Sequence, residues 1–136
     1  MSVGDQIVRV CRTTNRLLAR RISESSQYSY LQLRALRIID VEGIRTQVAL
    51  GERLLIDAPS VSRLVDRLEA EGLLVRKRGD DRRSVCLRLT PAGRRELQAM
   101  TRALDDFDAQ VRRLLTRAEA KTLETLLEKI YCGVER

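Results

Sequence analysis

The sequence predicts a mainly α fold of six helices with one small β-hairpin between the fourth and the fifth. Three observations carry that expectation. Apolar residues recur every three or four positions over most of the 136 residues, the period of a helix with one buried face. Between Leu73 and Leu89 the period drops to two, the alternation of a half-buried strand. Helix-starting residues (Ser29, Thr46, Asp57 and Thr116) stand in front of the apolar runs.

The elements follow in order. Residues 3–23 form the first helix, with Ile7, Val10, Cys11, Leu17, Leu18 and Ile22 on one side. Arg9, Arg12, Arg16 and Arg20 fall largely on the other. The polar segment Ser23–Tyr28 reads as a linker. Ser29 and Gln32 make a capping box for a second helix carrying Leu31, Ala35, Leu36, Ile38 and Ile39, which Gly43 ends.

Thr46 caps a short third helix, Gln47 to Leu54, and Asp57 caps the fourth. Pro59 sits in the fourth helix's first turn, where a missing N–H costs nothing. Val61, Leu64, Val65 and Leu68 face inward at helical spacing, which leaves Ser60, Ser62, Arg63 and Arg67 to solvent, and Gly72 stops the helix. Leu73–Arg78 and Ser84–Leu89 then pair around the turn Gly79-Asp80-Asp81.

Thr90-Pro91 starts a long fifth helix with Leu97, Met100, Leu104, Phe107, Val111 and Leu114 in a stripe. Thr116 and Glu119 form a second capping box, and the sixth helix presents Leu123, Leu126, Leu127, Ile130 and Tyr131. A short helix, a three-residue turn and a second helix make a helix-turn-helix, with the hairpin as its wing.

Composition narrows the class. A chain of this length suits one domain. With 33% charged and 3% aromatic residues, its core must come from Leu, Ile, Val and Ala. There is no run of about 18 apolar residues and no signal peptide, so the expectation is a soluble, cytoplasmic protein that leaves membranes alone.

Cys11, Cys86 and Cys132 are widely spaced, no CxxC occurs and histidine is absent, which argues against a zinc site. Their ordinary role is that of small buried hydrophobes, with a redox-sensing thiol as the alternative. No Gly-rich phosphate loop or nucleophile motif is present, so neither an enzyme nor a cofactor is expected.

Charge supplies the partner. Of 26 basic residues 23 are arginines, whose planar fork matches phosphates and guanine edges. Residues 73–90 hold Arg76, Lys77, Arg78, Arg82, Arg83 and Arg88 against Asp80 and Asp81, a net +4. An amphipathic helix beside a basic hairpin fits the two grooves of double-stranded DNA.

The candidate DNA-contacting residues are Thr46, Pro59, Ser60, Ser62, Arg63, Arg67, Arg78, Arg82 and Arg83. Arg63 suits a bidentate contact to guanine, and the serines suit a base edge or a phosphate. Arg82 and Arg83 are adjacent and leave a strand on opposite faces. Arg82 is expected to meet the minor groove, and Arg83 to pair with Asp66 or Asp81 and orient the wing.

At this point the residues carry a resemblance. D-x-P-S-V-S-R-L-V-D-R-L-E-x-x-G-L-L-x-R, followed by D-R-R-S-V-x-L-x-L-T-x-x-G, spans Asp57 to Gly93 and extends back through Thr46, Leu50, Glu52, Arg53 and Leu54. The combined pattern resembles the multiple antibiotic resistance regulator (MarR) family of winged-helix repressors. The resemblance implies a homodimer interleaved through the first, fifth and sixth helices. Residues 29–90 would be the DNA-binding lobe, and 1–28 with 91–136 the dimerisation lobe.

It also implies a pseudo-palindromic operator, a wing touching DNA through Asp81 to Arg83, and a small-molecule effector, often aromatic or phenolic in relatives. Arg16, Tyr28 and Tyr30 fall where such a ligand would lie; they either hold an aromatic anion or pack the dimer seam. Two departures stand out. Leu55 occupies the turn where relatives commonly carry Gly, and Gly51 stands where Ala is usual. They point to an altered turn, or to a third helix weaker by ~1 kcal/mol.

Two other functions compete with this one. A winged-helix protein-interaction module without DNA binding would replace the recognition face by acidic or apolar residues, yet Arg63, Arg67 and the wing arginines remain. RNA binding would call for an aromatic stacking platform, which the sequence lacks.

Overall fold

Caps decide where most elements begin. The computed structural model describes residues 1–79 and 85–135. Among the described residues it holds six helices and one two-stranded antiparallel sheet. The order is α1 (Val3–Ser25), α2 (Tyr30–Val41), α3 (Gln47–Leu54), α4 (Ala58–Ala70), β1 (Leu74–Arg78), β2 (Val85–Leu89), α5 (Pro91–Leu114) and α6 (Arg117–Val134). The hydroxyls of Ser29, Thr46 and Thr116 accept the N–H groups of Gln32, Ala49 and Glu119, and Asp57 accepts from Ser60. Each satisfies a donor that the first turn of a helix leaves without a partner.

The chain divides into two compact units, Met1–Ala103 and Leu104–Arg136, and the boundary falls within α5. The first unit has a dense aliphatic core. Leu33, Leu36 and Ile39 of α2, Leu50 of α3, Val65 and Leu68 of α4, and Leu74 and Leu87 of the sheet are fully buried. Burying each such side chain stabilises the fold by about 1.5–3 kcal/mol relative to leaving it exposed.

The strand register pairs Leu74 with Leu89, Val75 with Arg88 and Arg76 with Leu87. Beside β2, the Leu87 N–H donates to the Arg45 carbonyl at 2.7 Å and ties the α2–α3 loop to the sheet.

The root of the hairpin is closed by Thr90. Its hydroxyl donates to the Gly72 carbonyl at 2.6 Å and accepts from the Gly93 N–H at 3.0 Å. Its backbone N–H donates to the Leu73 carbonyl at 3.1 Å. The first turn of α5 therefore lies directly on the chain at Leu73. A Cβ at Gly93 would stand 2.1 Å from the Leu73 oxygen, so this position admits no side chain.

In the second unit, Arg112 donates to Asp108 at 2.8 Å and also pairs with Glu124. Leu123, Leu126, Leu127, Ile130 and Tyr131 of α6 are between 38% and 51% exposed. Among the described residues no helix is long and apolar enough to cross a membrane.

Two expectations are corrected. The helix α1 runs to Ser25 and takes in part of the segment expected to be a linker, because the fully buried Ile22 anchors its last turn and the Ser26 N–H closes that turn on the Ile22 carbonyl at 2.9 Å. The cysteines are not buried hydrophobes: Cys11 and Cys132 are exposed and Cys86 is half-buried. Cys11 and Cys132 lie on helical stretches whose large apolar neighbours are exposed as well, so no core receives them. Cys132 donates to the Glu128 carboxylate at 3.3 Å, which pushes its thiol pKa up and disfavours the reactive thiolate.

Candidate nucleic-acid interface

The helix-turn-helix is built from two helices that end in the same way. At the end of α4 the Leu73 N–H donates to the Leu68 carbonyl, the Gly72 N–H donates to the Glu69 carbonyl, and Gly72 takes a φ of 76°. This double closure is the Schellman pattern. At the end of α3 the Ile56 N–H donates to Gly51 and the Leu55 N–H to Glu52, with Leu55 in the left-handed position at φ 58°.

The turn therefore keeps its geometry without glycine, although an L-residue held there costs roughly 1–2 kcal/mol. Gly51 has its own reason. A Cβ at that position would meet Val61 Cγ1 at 3.2 Å, so the missing methyl lets α3 and α4 cross closely.

Asp57 starts α4 at a fixed angle. Hydrogen bonds from the Ser60 side chain and N–H hold its carboxyl below the usual aspartate range, with help from Arg63. Along α4, Ser60, Arg63 and Arg67 then recur at intervals of three and four and form one row. Arg63 curls back so that Nη2 donates to Ser60 Oγ at 3.3 Å. Arg67 pairs with Glu71 at 3.2 Å while keeping most of its guanidinium in solvent.

Pro59 is exposed beside this row, and Ser60 and Ser62 are half-buried. Thr46 lies apart from these residues, and its hydroxyl is engaged as the cap of α3. Arg78 is exposed at the end of β1. Arg82, Arg83 and Asp81 lie outside the described residues, so the expected pairing of Arg83 with Asp66 or Asp81 is not described.

The described partner of Asp66 is a residue that sequence reasoning counted merely as charge. Arg76, on the inward face of β1, donates to Asp66 at 2.7 Å, to Glu69 at 3.0 Å and to Gln47 at 3.3 Å. Its backbone N–H also reaches Glu69 at 3.2 Å. One guanidinium thus clamps the wing strand to both helices of the helix-turn-helix. The hydrogen bond to Asp66 is the largest influence holding that guanidinium in its charged form. A signal was present in the sequence: Arg76 shares strand parity with the buried Leu74, which aims it inward.

The three residues expected to hold a ligand are not brought together. Tyr28 lines a cleft of about 760 Å³ between the α1–α2 connection and α4, together with Ser23, Ser26, Gln32, Arg63 and Arg67. Tyr30 turns instead toward α1, where its hydroxyl donates to Asn15 Oδ1 at 2.8 Å. Partial burial raises the Tyr30 phenol pKa, against the opposing pull of Arg34. Arg16 is exposed on α1, one residue from Asn15. The separation has a plain cause: Tyr28 precedes the cap at Ser29 and leaves the chain in a different direction from Tyr30, the first residue of α2.

Comparison with known proteins joins this geometry to a family. A model described as the MarR family matches residues 26–84. A putative transcriptional regulatory protein for the hcr operon of Thauera aromatica is 38% identical over 91 residues, covering 63% of this chain; the chain spans about half, 52%, of that relative's length. The multiple antibiotic resistance protein MarR of Salmonella typhimurium is 32% identical over 130 residues, covering 94% of this chain and 90% of that protein. Among solved structures, a cysteine-to-serine mutant of E. coli MarR complexed with operator DNA has a TM-score of 0.73 at 28% identity, over 94% of this chain and 92% of that one.

Proposed function

This chain belongs to the MarR family of transcriptional regulators, and we propose that it acts as a homodimeric repressor of a pseudo-palindromic operator, released by a small ligand. The observation that carries the DNA reading is the exposed row Ser60, Arg63 and Arg67 on a capped α4, beside a wing held by Arg76. In this reading α4 enters the major groove, Arg63 contacts a guanine edge, and Ser60 and Ser62 reach a base edge or a phosphate. Pro59 and Arg67 flank that contact, Thr46 anchors the start of α3 beside the backbone, and Arg78, Arg82 and Arg83 serve the wing. The MarR relative solved with operator DNA supports this use of the surface.

The dimer reading rests on α6 and the start of α1. An apolar stripe of Leu123, Leu126, Leu127 and Ile130 is half-exposed on α6, and Ile7 and Val10 are exposed on α1. A second copy would bury them, which assigns residues 29–90 to DNA and residues 1–28 with 91–136 to dimerisation. An effector suits the cleft at Tyr28, because Arg63 and Arg67 border it and belong to the recognition helix. An aromatic acid bound there would draw both arginines away from DNA, and that competition is a direct route to release.

Selection of bound duplexes from random sequence tests the reading. It should return two half-sites related by twofold symmetry, about one helical turn apart. Repeating the selection with Arg63→Ala should erase the preference at one base pair of each half-site. A pool that stays random at moderate salt would refute sequence-specific binding.

A further inference from the structure

A second cluster of arginines lies on the face of the sheet turned away from α4. Strand parity puts Arg88 on that side. Arg76 and its cross-strand neighbour Leu87 point to α4 and the core, so Val75 and its neighbour Arg88 point the other way. Arg88 lines a cavity of about 270 Å³ together with Arg45, Arg94, Asp40, Ile39 and Leu89.

Each arginine is delivered by a separate element whose backbone is fixed. The bond from the Leu87 N–H holds Arg45 beside β2, Arg88 belongs to β2 itself, and Arg94 follows the closely packed Gly93 at the start of α5.

The charges in this cavity do not balance. Arg94 Nε stands 3.8 Å from Asp40 Oδ1, beyond hydrogen-bond distance, and its side chain is 60% exposed. Among the described residues, no ion pair joins Arg45 or Arg88 to a carboxylate. Three guanidiniums and one carboxylate lining a single small cavity leave a net +2 there.

A dianion would cancel that excess. Guanidinium forks donate to two phosphate oxygens in bidentate geometry, which a chloride ion does not allow. The cavity is smaller and more polar than the roughly 300–1,000 Å³, mostly apolar pockets that take drug-sized ligands, so it suits a charged group better than a whole hydrophobic molecule. We propose that Arg45, Arg88 and Arg94 form a binding site for the phosphate group of a small molecule, separate from the α4 surface and the Tyr28 cleft.

The test uses the full chain at pH 8, where inorganic phosphate is a dianion, in chloride buffer of matched ionic strength. Inorganic phosphate should raise the melting temperature saturably, with a midpoint in the millimolar range. Arg45→Gln combined with Arg88→Gln should abolish that rise, and Arg78→Gln should leave it intact. Asp40→Asn removes the competing carboxylate and should tighten binding about fivefold, as expected for one exposed charge.

If the double variant shows no melting transition, Asp40→Asn decides alone, and an unchanged midpoint overturns the site. A rise no larger than that given by chloride also overturns it, as does a rise that survives in the double variant. The remaining source of phosphate is the DNA backbone. If the double variant lowers the slope of log affinity against log salt for a random duplex by about two, while free phosphate has no effect, the cavity is a DNA contact and the proposal fails.

Discussion

Leu36 and Leu127 occupy comparable places on amphipathic helices, yet Leu36 is 0% exposed and Leu127 is 51% exposed. The helix α2 lies within a unit in which α1, α3 and β2 all touch it, so its stripe is covered by its own chain. The stripe on α6 has the same residue types and spacing without that cover. Apolar periodicity says that a face needs cover; it does not say what supplies it. For α2 the cover is intramolecular. For α6 the proposed cover is a second copy, and the two kinds of stripe should respond differently to mutation.

The saturated side of the comparison should break hardest. Gly93→Ala places a Cβ 2.1 Å from the Leu73 carbonyl, and neither backbone can give way without opening the hairpin root closed by Thr90. We expect a loss of about 3 kcal/mol or more in denaturant unfolding, at the upper end of what overpacking costs. A loss under about 1 kcal/mol would mean that α5 rides loosely on β1.

Leu127→Glu tests the uncovered side. Folding within one chain should change little, because the side chain is already half in water. Each copy would instead lose about 1–1.5 kcal/mol of burial at the interface, about half the value for a fully exposed leucine, and would place a carboxylate there, so sedimentation should show a monomer at micromolar concentration. An unchanged mass would remove α6 from the dimer interface.

Between these extremes lies the clamp at Arg76. Its carboxylate partners are 63% and 42% exposed, so screening limits what the pairs contribute. Arg76→Ala should cost about 1–2 kcal/mol of stability, below the sum of its charged hydrogen bonds. Arg76→Lys should restore the charge but not the three-way reach, leaving DNA affinity reduced while stability largely recovers. Equal DNA affinity in wild type and both variants would show that wing orientation does not depend on this residue.

Arg76 also marks where sequence reading ran out. Thr46, Asp57, Gly72 and the Thr116–Glu119 box were legible because a cap acts over three or four residues, within one glance along the chain. The clamp joins Arg76 to Gln47, Asp66 and Glu69, which lie 29, 10 and 7 positions away. Choosing among the arginines of the hairpin needs the strand register, and the register exists only once the sheet is built. The same limit separated Tyr28 from Tyr30. Two positions apart in the chain, they turn to α4 and to α1, and no local pattern announces that divergence.

The smallest effect isolates the turn of the helix-turn-helix. Gly72 and Leu55 close their helices with the same pair of backbone bonds, so the two ends differ mainly in the residue that holds the left-handed position. Leu55 is 89% exposed, and its side chain has little burial to offset the strain of a positive φ. Leu55→Gly removes a Cβ from an unfavourable conformation and also frees the unfolded chain, two effects of opposite sign. Strain relief of roughly 1–2 kcal/mol should win over the entropic cost of roughly 0.5–1 kcal/mol, so the variant should melt slightly higher than wild type.

Melting lower by the same amount at every protein concentration would mean that the entropy of the unfolded chain outweighs the strain; melting lower by an amount that grows with concentration would mean that a second copy covers the Leu55 side chain. The exposed Val48 and Leu55 beside it would then be a contact surface, since both border the same apolar cleft of about 440 Å³ between α3 and α4. A concentration-dependent sign change in so small a number would therefore move Leu55 from the class of strained turn residues to that of α6, where an exposed apolar side chain waits for cover.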